Sequence, residues 1–192
     1  MRALFLGLVL WCAAGAQALV VGGVQVAERT RVTAGGPELV LNGVGQRTIF
    51  LFRIYVIALY LPQTRNTMSE VIALKGPKRM LLTVQRDLTA RQVHDHLMMR
   101  IGDSAQASEM TVLKTRMSDL DRIIESVGVI ETDGTIALDW VPGSGTVIRV
   151  NGVARGEAIP GEDFYNALLR IWLSDHAKSL PLRDALLGKP AG

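Results

Sequence analysis

Residues 41–62, LNGVGQRTIFLFRIYVIALYLP, constrain the chain more than any other stretch. They form a strongly apolar, β-type segment closed by Pro62, with Arg47 two positions after the glycine pair Gly43 and Gly45. A guanidinium does not lose its proton and is costly to bury unpaired. An Arg at the head of such a run therefore needs a carboxylate, carbonyls, water or a bound anion. That need is the main clue to function, and most of the remaining sequence reads as scaffold.

Residues 1–18 are expected to be an export signal. Arg2 precedes an apolar stretch from Ala3 to Ala14, and Ala16-Gln17-Ala18 supplies small residues for cleavage. The apolar part is shorter than the roughly 20 residues that a spanning helix needs, and no later segment is long enough without charges. The reading is a soluble, exported chain beginning near Leu19, most simply in a bacterial periplasm. A lipoprotein role for Cys12 is disfavoured by the bulky Trp11 before it. Cys12 is the only cysteine, so its removal excludes disulfides, thiolate metal sites and a Cys nucleophile.

Subtracting 18 from 192 leaves 174 residues, 19–192, enough for one domain with a sizeable core. Loss of Arg2 from 21 basic residues leaves 20 against 18 acids, a net charge of +2. No basic run interleaved with aromatics appears, so nucleic-acid binding is unsupported.

β-Type segments are expected at Val20 to Val26, Glu38 to Leu41, Arg47 to Leu61, Arg79 to Gln85, Thr135 to Val141 and Val147 to Val153, the last broken by the turn signal Asn151-Gly152. Thr67/Glu70 and Thr89/Gln92 have capping-box spacing and open two helices, the second through about Ile101 with Val93, Leu97 and Met98 or Ile101 on one face. A longer helix from about Ala107 to Val127 carries an apolar stripe of Met110, Leu113, Met117, Leu120, Ile123 and Ile124. Two more follow, Glu162 to Leu173 and Leu182 to Leu187, the last stopping at Gly188. This pattern predicts an α+β fold, a large and mainly antiparallel sheet with a layer of helices on one face.

Three segments, LNGVGQRTIFLFRIYVIALYLP, RDLTARQV and GEDFYNALLRIWLSD, resemble the chalcone isomerase-like family, in particular a bacterial exported branch, over roughly Glu38 to Gly188. The resemblance implies a ligand cleft between sheet and helices. The family holds plant isomerases, fatty-acid-binding members and non-catalytic members, so the fold does not choose among them. In the isomerases an Arg matching Arg47 stabilises an oxyanion. The other polar positions of the enzymes fall on Tyr55, Val93, Arg100 and Ile171, and Val93 and Ile171 offer no hydrogen bond to a developing oxyanion. Fatty-acid-binding members resemble this chain in pairing the Arg with a Tyr near Tyr55.

The expected function is thus an exported, non-catalytic binder of a fatty acid or similar apolar anion, with Arg47 and Tyr55 holding the carboxylate. Val93, Leu97, Arg100 and Ile171 are the candidate cleft-lining residues, although Arg100, near its helix end, reads more simply as solvent-facing. The alternatives are an isomerase or lyase acting on an aromatic enone, and a periplasmic interaction protein with a closed cleft. No catalytic residue, cofactor or metal is assigned. His94 and His96 point some 200° apart on a helix and do not share a metal. Trp140, Phe164 and Trp172 read as core aromatics, and Glu162 and Asp163 as helix N-terminal charges. One geometric demand is sharp. Eight positions of straight strand would hold Arg47 and Tyr55 about 26 Å apart, so the chain must bend or reverse around Phe50 to Phe52. Without a reversal, Arg53 is the rival donor.

Overall fold

The computed structural model describes residues 18–104, 107–177 and 179–189, with backbone only at 102–104 and 107–110. The expected signal segment lies outside the described residues except for Ala18. Among the described residues, seven antiparallel strands form the main sheet. In chain order they are β3 (Arg29–Arg31), β4 (Glu38–Ile49), β5 (Phe52–Leu61), β6 (Lys78–Val84), β9 (Thr135–Val141), β10 (Gly145–Val150) and β11 (Val153–Ile159). They lie side by side in the order β11-β10-β9-β6-β5-β4-β3. Two small ribbons accompany them, β1 (Ala18–Val21) with β2 (Val24–Ala27), and β7 (Leu88–Thr89) with β8 (Val129–Ile130). The helices are α1 (Met68–Ala73), α2 (Ala90–Ser104), α3 (Ala107–Glu125), α4 (Glu162–Leu173) and α5 (Leu180–Leu186).

β5 shows why its sequence is apolar almost throughout. Tyr55, Ile57, Leu59 and Leu61 face the helices, while Val56, Ala58 and Tyr60 face the other side, where the β1–β2 ribbon adds Val21, Val24 and Val26. A strand covered on both faces has no solvent side on which to alternate polar residues. The Tyr60 hydroxyl ties this second layer down by donating to the Ala27 carbonyl at 2.9 Å. The expected helix layer is present, with α4 at its centre and Phe164, Tyr165, Leu168, Leu169, Ile171 and Trp172 all buried.

Both capping boxes form. Thr67 Oγ1 accepts from Glu70 N, and Thr89 and Gln92 exchange bonds at 2.9 and 3.2 Å. At the β10–β11 reversal Asn151 (φ 51°) and Gly152 (φ 79°) are both left-handed, as a tight hairpin needs.

Two expected strands are in fact hairpins. Val20 to Val26 reverses at Gly22-Gly23, and Arg47 to Leu61 reverses at Phe50-Leu51. The first turn uses glycines; the second places Phe50 itself at φ 52°, unusual for a bulky side chain. An apolar run across that turn hides the reversal from any reading by composition.

The glycine pair before Arg47 lies within β4 rather than in a turn. A Cβ on Gly43 would run into the Ala185 and Leu186 carbonyl oxygens, and one on Gly45 would lie 2.6 Å from Leu182 Cδ1. The two positions are bare so that α5 can rest on the strand. Between them in space Asn42, the extra residue of a β-bulge, donates to the Leu186 carbonyl at 2.7 Å and accepts from Arg65 N at 2.6 Å.

Candidate functional site

Arg47 and Tyr55 are direct partners in the β4–β5 ladder, so their side chains leave the same face of the sheet. The reversal that the sequence demanded is therefore present. A second bulge follows, since Arg47 pairs with Tyr55 and Thr48 with Arg53, leaving Ile54 as the extra residue. Arg53, the rival donor, is exposed and lines no part of the cleft.

The face shared by Arg47 and Tyr55 is the helix face, and a cleft opens there in two connected parts. The smaller, of about 20 Å3, is bounded by Arg47, Tyr55, His96, Arg100, Ile171 and Ser179, among others. It is about the size needed for one water or a carboxylate oxygen. The larger, of about 260 Å3, shares Arg47, Tyr55, His96 and Trp172 and continues between Leu82, Val93, Leu97, Ile136 and Leu138. It approaches the lower end of small-molecule pockets, roughly 300 Å3. All six residues singled out from the sequence thus line one cleft, polar at one end and apolar along its length.

Tyr55 is held from behind by Trp172, whose indole Nε1 donates to the phenol oxygen at 3.0 Å. With that bond accepted, the phenol proton is left to donate forward. Burial pushes the Tyr55 pKa above its ordinary value. The Trp172 bond and the positive charges of Arg47 and Arg100 pull the other way without overcoming it. At neutral pH the group is a hydrogen-bond donor and not a base. Among the described residues no carboxylate lies within ion-pairing distance of Arg47, whose side chain is half-buried.

Two expectations and one alternative need correction. Arg100 does not face solvent; it is 5% exposed, and its Nη2 donates to the His176 carbonyl at 3.4 Å. The helix runs on to Ser104, so Arg100 lies a full turn before the end and beneath the α4–α5 connection. Trp172 is more than a core aromatic, because its polar edge positions Tyr55. A cleft closed by side chains is not what the described residues build.

His96 was legible and missed. Val93, His96, Leu97 and Arg100 have the i, i+3, i+4, i+7 spacing of one helix face, and all four line the cleft. His94 diverges as expected, toward Asp121 at 3.3 Å, and among the described residues no group of side chains is arranged to hold a metal. Glu162 accepts from Lys78 at 3.3 Å and Asp163 pairs with Arg116, so neither joins the cleft.

Together these features define an α+β protein with a sheet–helix cleft, one cationic end and an apolar body. The chain belongs to the chalcone isomerase-like family, whose model matches residues 18–188. Among solved structures it is similar to a fatty-acid-binding protein of Arabidopsis thaliana, with a TM-score of 0.70, 14% sequence identity, and coverage of 89% of this chain and 96% of that chain. At that identity the likeness is one of fold. No curated protein matches the sequence.

Proposed function

We propose that this chain binds a fatty acid or a similar apolar anion without transforming it. The observation that carries the reading is the pairing of Arg47 with Tyr55 at the polar end of an apolar cleft, with no internal carboxylate on Arg47 among the described residues. Arg47 supplies the fixed charge, and Tyr55, aligned by Trp172, supplies a neutral donor. Charge-assisted bonds of this kind contribute about 1.5 to 3 kcal/mol each. The acyl tail then follows Val93, Leu97 and Leu138, gaining about 0.8 kcal/mol per buried CH2. The fatty-acid-binding character of the Arabidopsis protein that shares the fold is consistent with this use of the cleft.

Native mass spectrometry of gently purified protein, followed by titration with fatty acids of about 12 to 18 carbons, lengths suited to a cleft of about 10 to 20 Å in a domain of this size, tests the reading. A co-purifying acid and saturable binding that Arg47→Ala weakens are expected; no bound acid and no thermal stabilisation by any chain length would refute it. An isomerase reading gains one point from the structure, since His96 and Arg100 add polar groups beside Tyr55. Turnover of a chalcone, lost in Arg47→Ala, would establish that reading instead. We further propose that residues 1–18 direct export to a periplasm and that 19–192 act as a single domain. The mass of the protein recovered from the periplasmic fraction checks both the cleavage and the location.

A further inference from the structure

The β4–β5 hairpin outruns the sheet that supports it. The β5–β6 ladder ends at Tyr55 and Val84, while Thr48–Arg53 and Ile49–Phe52 pair farther out with nothing but each other. At this tip stand four consecutive apolar residues, Ile49 (41% exposed), Phe50 (93%), Leu51 (94%) and Phe52 (62%). Four exposed apolar residues in a row disfavour a water-facing turn unless the turn has another use. The turn also holds Phe50 at φ 52°, where Asn or Gly would be at ease. The residue type that water and backbone both disfavour is therefore the one the tip presents.

The surroundings indicate what the tip meets. Between Glu38 and Glu70 the sequence contains no acid, and Arg53 lies beside the tip. The Arg86 guanidinium stacks over Phe52, 5.5 Å from the ring centroid. The acids at this end, Asp87, Glu131 and Asp133, belong to the loops that follow β6 and flank β8 rather than to the hairpin. The apolar tip of the hairpin is flanked by two cations, Arg53 and Arg86, and carries no acid of its own. A protein partner would need a matching socket, whereas the headgroup region of a bilayer accepts such a tip without one. The tip is also continuous with the cleft, since Ile49 and Arg86 line its larger part together with Arg47.

We infer that the Ile49–Phe52 tip is a docking element for an anionic lipid bilayer, seating Phe50 and Leu51 among the acyl chains so that the cleft opens against the membrane. Docking stands on the tip alone; passage of a lipid-derived acid into the cleft rests in addition on the proposed function.

The test is flotation of the purified chain with vesicles of phosphatidylcholine mixed with phosphatidylglycerol, compared with pure phosphatidylcholine. Wild-type protein should float with the mixed vesicles and much less with the neutral ones. Phe50→Asn/Leu51→Ser changes only exposed side chains and relieves the positive φ, so it should keep the fold and lower partitioning by about tenfold or more, given the area removed from the acyl region. Arg53→Gln should lower partitioning about fivefold, on anionic vesicles only, an effect erased by high salt. Absence of flotation by the wild type, or equal flotation by the double variant, would overturn the inference. A salt-resistant dimer in light scattering that the double variant abolishes, without vesicle binding, would overturn it in favour of self-association. Fatty-acid titration in vesicle-free buffer separates the two proposals. The tip variant loses vesicle partitioning and retains that affinity if both hold; wild-type protein that binds the free acid without floating shows that docking has failed, and wild-type protein that floats without binding the acid shows that the proposed function has failed.

Discussion

The two faces of the main sheet treat arginine in opposite ways. On the face away from the helices Arg79 donates to Asp139 through Nε (2.7 Å) and Nη2 (2.8 Å) and to Thr30 through Nη1 (2.9 Å). Arg149 adds a bond to the same carboxylate at 3.2 Å, and Asp139 is fully buried. Asp139 holds the Arg79 pKa above its ordinary value, chiefly by its hydrogen bond. On the helix face Arg47 is left beside a phenol and a cavity. The same kind of cation is thus a closed structural element on one side and, on the other, a charge without a carboxylate partner among the described residues. What separates them is whether the fold supplies the carboxylate itself.

Asp139→Ala should produce the largest effect. It strands two guanidinium groups beside a buried site, and breaking such a pair costs about 3 to 5 kcal/mol. Urea unfolding should show the loss, with ligand affinity per folded molecule unchanged; a loss below about 1 kcal/mol would break the contrast between the faces. Gly43→Ala comes next. Its Cβ meets the backbone of α5, which cannot yield as a side chain can, so a destabilisation of about 1 to 3 kcal/mol is expected, together with a disturbed site on the Ser179 side.

Arg47→Ala should reverse the pattern of Asp139→Ala. Removing a charge that has no carboxylate partner among the described residues leaves stability within about 0.5 kcal/mol, while binding of an apolar acid weakens by about 1.5 to 3 kcal/mol in calorimetric titration. Trp172→Phe tests the support behind Tyr55 and should lower acid affinity or stability by about 1 kcal/mol, through the lost indole bond.

The smallest effect at neutral pH concerns the three tyrosines, Tyr55, Tyr60 and Tyr165. Burial raises all of their pKa values, that of Tyr60 to about 12. Unfolded phenols ionise near pH 10, so the folded chain holds protons that the unfolded chain releases. The stability they contribute is complete below about pH 10 and is lost as pH climbs through the folded values. Phenolate absorbance should accordingly appear with unfolding and not before it; early titration of Tyr55 in the intact fold would indicate that its proton is not held for donation.

The helices were largely legible because capping boxes and i, i+3, i+4 stripes are local signals, as Thr67/Glu70, Thr89/Gln92 and the Leu113–Leu120–Ile124 stripe show. The hairpins were less so. Gly22-Gly23 is a turn signal that the short apolar segment around it masked, and Phe50-Leu51 is itself apolar, so composition gave no break there and the reversal followed only from the distance between Arg47 and Tyr55. Arg47, Tyr55, Val93, Leu97, Arg100 and Ile171 were named from the sequence as site residues, while His96, though legible, and Trp172 were not. His96 needed the helix face read through to Arg100, and Trp172 needed its N–H followed to a partner.

By itself the sequence determined the element types, the antiparallel sheet with its helix layer, and the presence of a cation at the head of an apolar run. These follow from periodicity, capping and the unalterable charge of a guanidinium, all of which act within a few residues. Only the tertiary structure decided that Arg47 would face Tyr55, that Arg100 would be buried, and that Arg79 and Arg149 would find Asp139 while Arg47 found a cavity. Whether a charge is answered depends on side chains brought in by distant strands and helices, and one reversal at Phe50-Leu51 sets which of them meet.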